Sequence, residues 1–380
     1  MERVYLDHAA TSPMHPEVIE EMTSVMKESF GNPSSIHSFG RASRHLVDRA
    51  RTIIAQSIHA DYNDIIFTSG GTEADNLAII GSAEANKGKG NHIITTQTEH
   101  HAVLHACEFL ESKGFEVTYL SVDRTGRISV EELQRELRDD TILVTIMFGN
   151  NEVGTIQPIK EIGKLLQNHQ AYFHTDAVQA FGLTHIDVKE LGIDLLSVSG
   201  HKINGPKGIG FLYSHKNVDV QPGLYGGEQE RKRRAGTENV PAIVGLGKAV
   251  EIAQKTIEEK NSQYPRFKVL LKETLAGEGI DFEENGSLEH GLPHVLNLSF
   301  PGTDVESMLV NLDMSGIAVS SGSACTAGSI EPSHVLVAMF GKQSGNSRNS
   351  IRFSFGQGNT DEQIVWTAHE VAKIVKRLTT

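Results

Sequence analysis

Cysteine is scarce: Cys107 and Cys325 are the only two in 380 residues. Two thiols cannot build a disulfide framework, which agrees with a reducing compartment. Long apolar runs are also missing. No stretch approaches the roughly 18 residues needed to span a bilayer. The opening MERVYLDHAATSP has polar and acidic residues where a signal peptide would carry its apolar core. A cytoplasmic protein with no membrane partner is expected. Positive charge is in deficit, with 35 Lys and Arg against 48 Asp and Glu, a net charge of −13 with His neutral. That sign does not attract nucleic acid or anionic lipid broadly, so no direct nucleic-acid binding is expected. The local exception is Arg231-Lys232-Arg233-Arg234, which reads as a solvated face or as a contact for a phosphate or an RNA-bearing partner. There is no HExxH pattern and no pair of closely spaced cysteines. His101 and His105 share a helix face but read as a surface pair, and no metal site is expected. Internal repeats and low-complexity segments are absent too.

What is present is alternation. From about residue 64 to 213, short apolar strands alternate with amphipathic helices. Candidate strands are 65–68, 92–96, 117–120, 142–147, 172–175, 195–199 and 208–213, and candidate helices between them include 102–112, 130–138 and 159–168. This pattern predicts an α/β unit with a mostly parallel sheet covered on both faces. One long helical stretch follows over 240–275. Beyond it, 295–299 and 350–354 read as strands, and 305–312, 333–340 and 361–378 as helices, giving a smaller α+β unit. The expected division is a large domain over 16–261 and a small one over 262–380, joined by residues 1–15.

The chemistry gathers where the strands end, which is where ligands sit in such sheets. AYFHTDAVQ closes one strand with Asp176 and Gln179; DLLSVSGHK closes the next with Ser199, His201 and Lys202. A lysine that can capture an aldehyde and a carboxylate that keeps a pyridine nitrogen protonated are the two requirements of a pyridoxal phosphate site. An isolated Asp and Lys would read as a salt bridge; the surrounding residues favour the cofactor. Phe67-Thr68-Ser69-Gly70-Gly71-Thr72 makes a strand-to-helix turn whose N–H groups suit a phosphate, with the Thr72 hydroxyl as a further donor. His100 in Thr98-Glu99-His100-His101 reads as a ring-stacking proton carrier or as a helix cap. Asn151 in Phe148-Gly149-Asn150-Asn151-Glu152 bonds a cofactor hydroxyl or a substrate carboxylate, or simply shapes a turn. Arg352, between apolar residues of a strand, needs a fixed anion, either an α-carboxylate or an internal salt-bridge partner. Cys325 lies in VSSGSACTAGS, a small, polar setting that leaves a thiol available to react, whereas Cys107 in HAVLHACEFL falls on the apolar side of a helix.

With these residues in place, the chain resembles the cysteine desulfurases of the class-V aminotransferase group. The likeness runs through YLDHAAT, FGNPSS, FTSGGTEADNLAI, TEHHAVL, NNEVG, HTDAVQ, SVSGHK, GPKGIG, GGEQE, RAGTEN, VSSGSACTAG and SIRFSFG. The cysteine segment is similar to the NifS/IscS-like subgroup, and overall the chain is most similar to Gram-positive desulfurases that serve tRNA 2-thiouridylation. The resemblance implies fold type I of the pyridoxal 5'-phosphate enzymes: a large domain with a mostly parallel seven-stranded sheet and a small α+β domain carrying the cysteine loop. It implies Lys202 as the cofactor-holding lysine, Asp176 on the pyridine nitrogen, Gln179 on the ring hydroxyl, and His100 against the ring. Thr72, Ser199 and His201 would hold the phosphate. Thr237 would reach the phosphate of the other subunit of a homodimer. Arg352, Asn32 and Asn151 would take the carboxylate of L-cysteine, and Cys325 its sulfur, as a persulfide bound for an acceptor protein such as a tRNA 2-thiouridylase or an iron–sulfur scaffold. A selenocysteine lyase or transaminase would need Lys202, Asp176 and His100 but not Cys325; a non-catalytic sulfur carrier would need only Cys325.

Overall fold

The computed structural model describes residues 3–321 and 332–380. A short strand, β1 (Val4–Tyr5), precedes helices α1 (Pro16–Glu28) and α2 (Ser38–Ser57), neither of which the alternation pattern reveals. The start of α1 is set by its own residues. The His15 ring accepts from the Glu17 N–H, and Pro16 and Glu17 suit the first turn.

Seven strands then form one sheet: β2 (Ile65–Thr68), β3 (His92–Thr96), β4 (Glu116–Leu120), β5 (Thr141–Thr145), β6 (Tyr172–Asp176), β7 (Leu195–Ser199) and β8 (Gly210–Ser214). Their spatial order is β2-β8-β7-β6-β5-β3-β4. The pairs from β7 through β4 are parallel; only β8 runs antiparallel, to both of its neighbours. The expected strand over 142–147 stops at Thr145, and the Met147 N–H turns instead to the Glu99 carboxylate at 3.0 and 3.1 Å.

Both sheet faces are dry. Ile65, Phe67, Ile94, Val144, Leu196 and Phe211 point to one face, and their neighbours Ile66, Ile93, Leu143, Leu195 and Leu212 to the other, as a two-residue period requires. The first face is covered by α1, α2, α7 (Ile159–Leu166) and α8 (Val240–Lys255). The second is covered by α3 (Gly71–Asn76), a π-turn, α4 (Ser82–Asn86) and α5 (His101–Ser112), while α6 (Val130–Glu136) packs beside α7. The single helix expected over 240–275 is two: α8 ends at Thr256, whose hydroxyl turns back to the carbonyls of Ile252 and Ala253, and α9 (Ile257–Gly277) starts there.

The remaining elements are β9 (Glu283–Asn285), β10 (Val295–Ser299), α10 (Val305–Met314), β11 (Ile317–Ala318), α11 (His334–Phe340), β12 (Ser350–Ser354) and α12 (Asp361–Thr379). β12-β10-β9 is an antiparallel sheet, and β1 pairs in parallel with β11. A separate core, including Phe267, Leu271, Leu298, Met308, Phe353 and Ile364, takes in Val4 and Leu6 from the N-terminus.

Just before the basic run, Glu230 is buried and paired with both guanidinium nitrogens of Arg51 at 2.6 and 2.8 Å, and each side chain is 3% exposed. Ile65 O and Phe67 N complete the cluster. Removing one partner strands the other charge in a dry site, so Glu230→Ala should cost about 3–5 kcal/mol. Urea unfolding should show Arg51→Met/Glu230→Leu less destabilised than either single change. A single variant within about 1 kcal/mol of wild type would mean the pair is not dry.

Candidate functional site

The C-terminal ends of β6 and β7 bring the predicted acid and base together. Asp176 ends β6, and one of its oxygens accepts from the Val178 N–H at 2.9 Å. Lys202 follows β7 by three residues. Its Nζ donates to the carbonyls of Ala9 (2.5 Å) and Ala10 (2.8 Å), so the N-terminal segment straps over the lysine. Burial, and then the Arg352 charge, lower this amine to about 8. The strap is tied elsewhere too: Ser12 bonds His201 O, and the Thr11 hydroxyl meets the His201 ring at 3.1 Å. Gln179 donates to Ala9 O and meets His294 Nε2 through its carbonyl, which leaves one amide N–H.

His100 caps α5, its Nδ1 accepting from the Ala102 N–H at 3.1 Å. The helix-cap role is therefore real, and Nε2 remains for proton exchange. His100, Asp176 and Asp75 each place a polar atom within 4.8 Å of the others. Burial holds the His100 ring below its ordinary range.

The turn after β2 is a glycine cradle. Gly70 takes φ +152, and a Cβ on Gly71 would come within 2.9 Å of Val178 Cγ2. Exposed Thr72 opens α3 beside it, and buried Ser199 faces it, 3.7 Å from where a Gly70 Cβ would stand. Arg234 of the basic run is not a free surface cation. It grips Glu73 with two bonds, at 2.7 and 3.1 Å, and Glu73 also accepts from the Ser69 N–H at 2.7 Å. Arg231 and Lys232 are exposed.

Arg352 is 3% exposed and already has an anion: Nη2 donates to Asp7 at 2.7 Å and Nη1 to Asn151 O at 2.8 Å, while Nε has no partner. The salt-bridge alternative thus describes this form of the chain. The Arg352 backbone pairs with Ser320 in both directions, on the near side of the cysteine-bearing segment. On the far side, Ser333 bonds Glu152 and His334 donates to Glu99 O at 2.8 Å. Cys325 itself lies outside the described residues. Cys107 is fully buried on α5, and burial pushes its thiol far above the ordinary range.

Two expected residues are not gathered here. Asn32 is exposed and accepts from the Ser34 N–H in its own turn; exposed Thr237 makes no hydrogen bond to the Lys202 group within this chain. Four residues went unnoticed in the sequence. Asp7 stood inside YLDHAAT, and Asp75 inside the glycine-turn motif. Glu99, next to His100, is buried and raised to about 8. His294, which holds Gln179, carries no local signal.

A bound pyridoxal phosphate fits these residues. Gly70 leaves room beside Ser199 that a Cβ would fill, the half-buried amine has a depressed affinity for its proton, and a buried carboxylate lies at the neighbouring strand end.

Comparison with known proteins agrees. The family model described as "Aminotransferase class-V" matches residues 4–365. A Bacillus subtilis protein described as "Putative cysteine desulfurase IscS 1" is 65% identical over 379 residues, all of both chains. A solved structure described as a NifS-like protein superimposes with a TM-score of 0.92 at 35% identity, covering 99% of this chain and 100% of that one. Another, SspA in complex with cysteine, gives 0.82 at 38% identity, covering 93% and 98%. With the match running through β1, both cores and into α12, the chain belongs to the class-V aminotransferase family.

Proposed function

We propose that this chain is a pyridoxal-phosphate-dependent cysteine desulfurase that moves sulfur from L-cysteine to Cys325 and releases L-alanine. The observation that carries this is the meeting of a half-buried lysine with a lowered pKa, Lys202, with Asp176 and His100 at the strand ends, beside Arg352. Bound there, the cofactor supplies an electron sink for the amino-acid carbon skeleton. Lys202 would hold the cofactor through its aldehyde carbon and would move the substrate α-proton. Asp176 keeps the pyridine nitrogen charged, Gln179 offers its remaining N–H to the ring hydroxyl, and His100 works through Nε2. Thr72, Ser199 and His201 take the phosphate. Arg352, with Asn151, takes the substrate carboxylate, which has to displace Asp7 from the guanidinium; Asn32 would join them only if its turn moves toward Arg352. The Cys325 thiolate attacks the substrate sulfur. An S–S bond forms, the carbon–sulfur bond breaks, and the electron pair leaves with the carbon skeleton, which is protonated to alanine. Purified protein loaded with cofactor should release alanine from L-cysteine, with one sulfide per alanine when a reductant is present. No alanine would overturn the reading.

The division into a large domain (16–261) and a small one (1–15 with 262–380) is supported by the two separate cores. The acceptor is a tRNA 2-thiouridylase or an iron–sulfur scaffold. Among the described residues no helix is long and apolar enough to cross a membrane, and a cytoplasmic setting would keep both thiols reduced.

A homodimer completes the phosphate site through Thr237. Phe30, Ile36 and Phe39 are 78%, 91% and 57% exposed, and the two phenyl rings lie 5.0 Å apart. Arg44 ties this patch to the Thr237 segment by bonding both Pro33 O and Glu238. A patch of that kind marks an interface. Sedimentation at micromolar concentration should give a dimer. Ile36→Asp/Phe39→Asp should dissociate it and weaken cofactor binding together, and a fully active monomer would refute the arrangement.

A further inference from the structure

Asp75 is 1% exposed, and its Oδ1 has no hydrogen-bond partner. A buried carboxylate with an unpartnered oxygen is costly, so its place on α3 needs a reason. It ends a buried polar chain that runs beneath the site from strand to strand. Thr145 on β5 meets His174 Nδ1 at 2.8 Å, and His174 Nε2 on β6 meets the Ser197 hydroxyl of β7 at 3.0 Å. Asp75 Oδ1 lies 3.7 Å from His174 Nε2. His174 is fully buried and its ring is lowered to about 3, so it is neutral and no counter-ion for Asp75.

Asp75 and Asp176 stand within 4.8 Å of each other, both out of water. Two carboxylates so placed do not both ionise, so one proton stays with the pair. The surroundings decide which group keeps it. Burial raises Asp176 too, but the fields of His100 and Lys202 and the Val178 N–H act against it. Asp75 is raised first by burial, then by the Asp176 charge and by Glu99, with only Ser197 acting against this.

We propose that Asp75 is a positioning residue: it stands beside Asp176 as a neutral carboxylic acid and donates its proton in a hydrogen bond to the Asp176 carboxylate, holding that group charged and oriented. This rests on the reading that Asp176 serves the pyridine nitrogen. Charge on Asp176 is what the cofactor needs, and the proton on Asp75 removes the repulsion that would otherwise neutralise it.

Two measurements on the full-length chain test this. In the infrared difference between cofactor-free wild type and Asp75→Asn at neutral pH, the carbonyl band of one protonated carboxylic acid should be lost. The difference cancels any band from Glu99, and no lost band overturns the proposal. In equilibrium dialysis with pyridoxal phosphate, Asp75→Asn, a neutral donor of the same shape, should bind within about threefold of wild type. Asp75→Leu should bind about tenfold or more weakly, the worth of a hydrogen bond to a charged group. Asn as weak as Leu, or Leu equal to wild type, overturns it. Should Leu fail to fold, the Asn variant and the infrared band still decide. Wild type that binds no pyridoxal phosphate would defeat the cofactor reading, while the infrared band would still place the proton.

Discussion

Lys202→Ala is expected to lose alanine and sulfide release by at least about a thousandfold, because no other amine can take over covalent capture. The variant should fold, since it gives up only the bonds to the Ala9 and Ala10 carbonyls. Some cofactor should still bind through the phosphate contacts, without the absorption band of the lysine-bound form. The wild type carries a second signature of the same residue. An ordinary lysine titrates near 10.4 and is almost wholly protonated at neutral pH. Lys202 is lowered to about 8, first by burial and then by the Arg352 charge. The neutral amine is the nucleophile, so lowering the pKa enlarges the reactive fraction. That fraction rises from about a tenth near pH 7 to about nine-tenths near pH 9. Mixing the cofactor-free chain with pyridoxal phosphate should therefore give a capture rate that climbs roughly tenfold over this range and then levels. A rate still climbing steeply toward pH 10.4 would mean an unperturbed lysine. A wild type that stays colourless after incubation with pyridoxal phosphate would remove the site altogether.

The parts of this molecule that were legible in the sequence are those with a local period. β2, β3, β7, β10 and β12 span the residues expected of them, because each is buried along its whole length and carries apolar residues dense enough to mark it, even where Ser, Thr, His or Arg stand among them. α2 escaped because its buried stripe holds Gly40, Ser43 and Arg51 among the apolar residues. Arg51 can lie there only because Glu230, far along the chain, neutralises it. The reversed direction of β8 has no signature in its own residues. The site shows the same division. Asp176 and Lys202 were legible as strand ends followed by chemistry. Asp7 and Asp75 were not, because what marks them is a neighbour brought close by the fold: Arg352 for Asp7, and Asp176 for Asp75. Thr237 was predicted for the phosphate of the other subunit, a site that a single chain does not assemble; Asn32, predicted for the substrate carboxylate with Arg352, instead accepts from the Ser34 N–H in its own turn.

Sulfur should be found on Cys325 and not on Cys107. The thiolate, not the thiol, is what attacks, and the fold withdraws it at Cys107. Cys107 is fully buried on α5. Burial first, then the Glu99 and Glu111 charges, push its thiol so high that thiolate is negligible at any working pH. It lies in the buried apolar layer with Val103, Ala106 and Leu110. Cys325 belongs to a segment of small and polar residues whose two ends are tied to the site, Ser320 to Arg352 and His334 to Glu99 O beside His100. An ordinary thiol of pKa about 8.5 supplies a few per cent of thiolate at neutral pH, and a nearby cation raises that share. Cys325→Ala should still bind L-cysteine, since Lys202 and Arg352 are untouched, and the change in the cofactor band should report it. Transfer to a protein acceptor should fall by about a hundredfold or more, because no second thiol can hold the sulfur. Cys107→Ala should transfer sulfur normally, at a stability cost of about 1 kcal/mol for the small cavity it leaves. After L-cysteine treatment, mass spectrometry should find one added sulfur on the Cys325 peptide and none on that of Cys107. Full transfer by Cys325→Ala would instead make this a lyase that frees sulfide directly. Persulfide chiefly on Cys107 would require α5 to open, a motion that α5's packing against the second face of the sheet opposes.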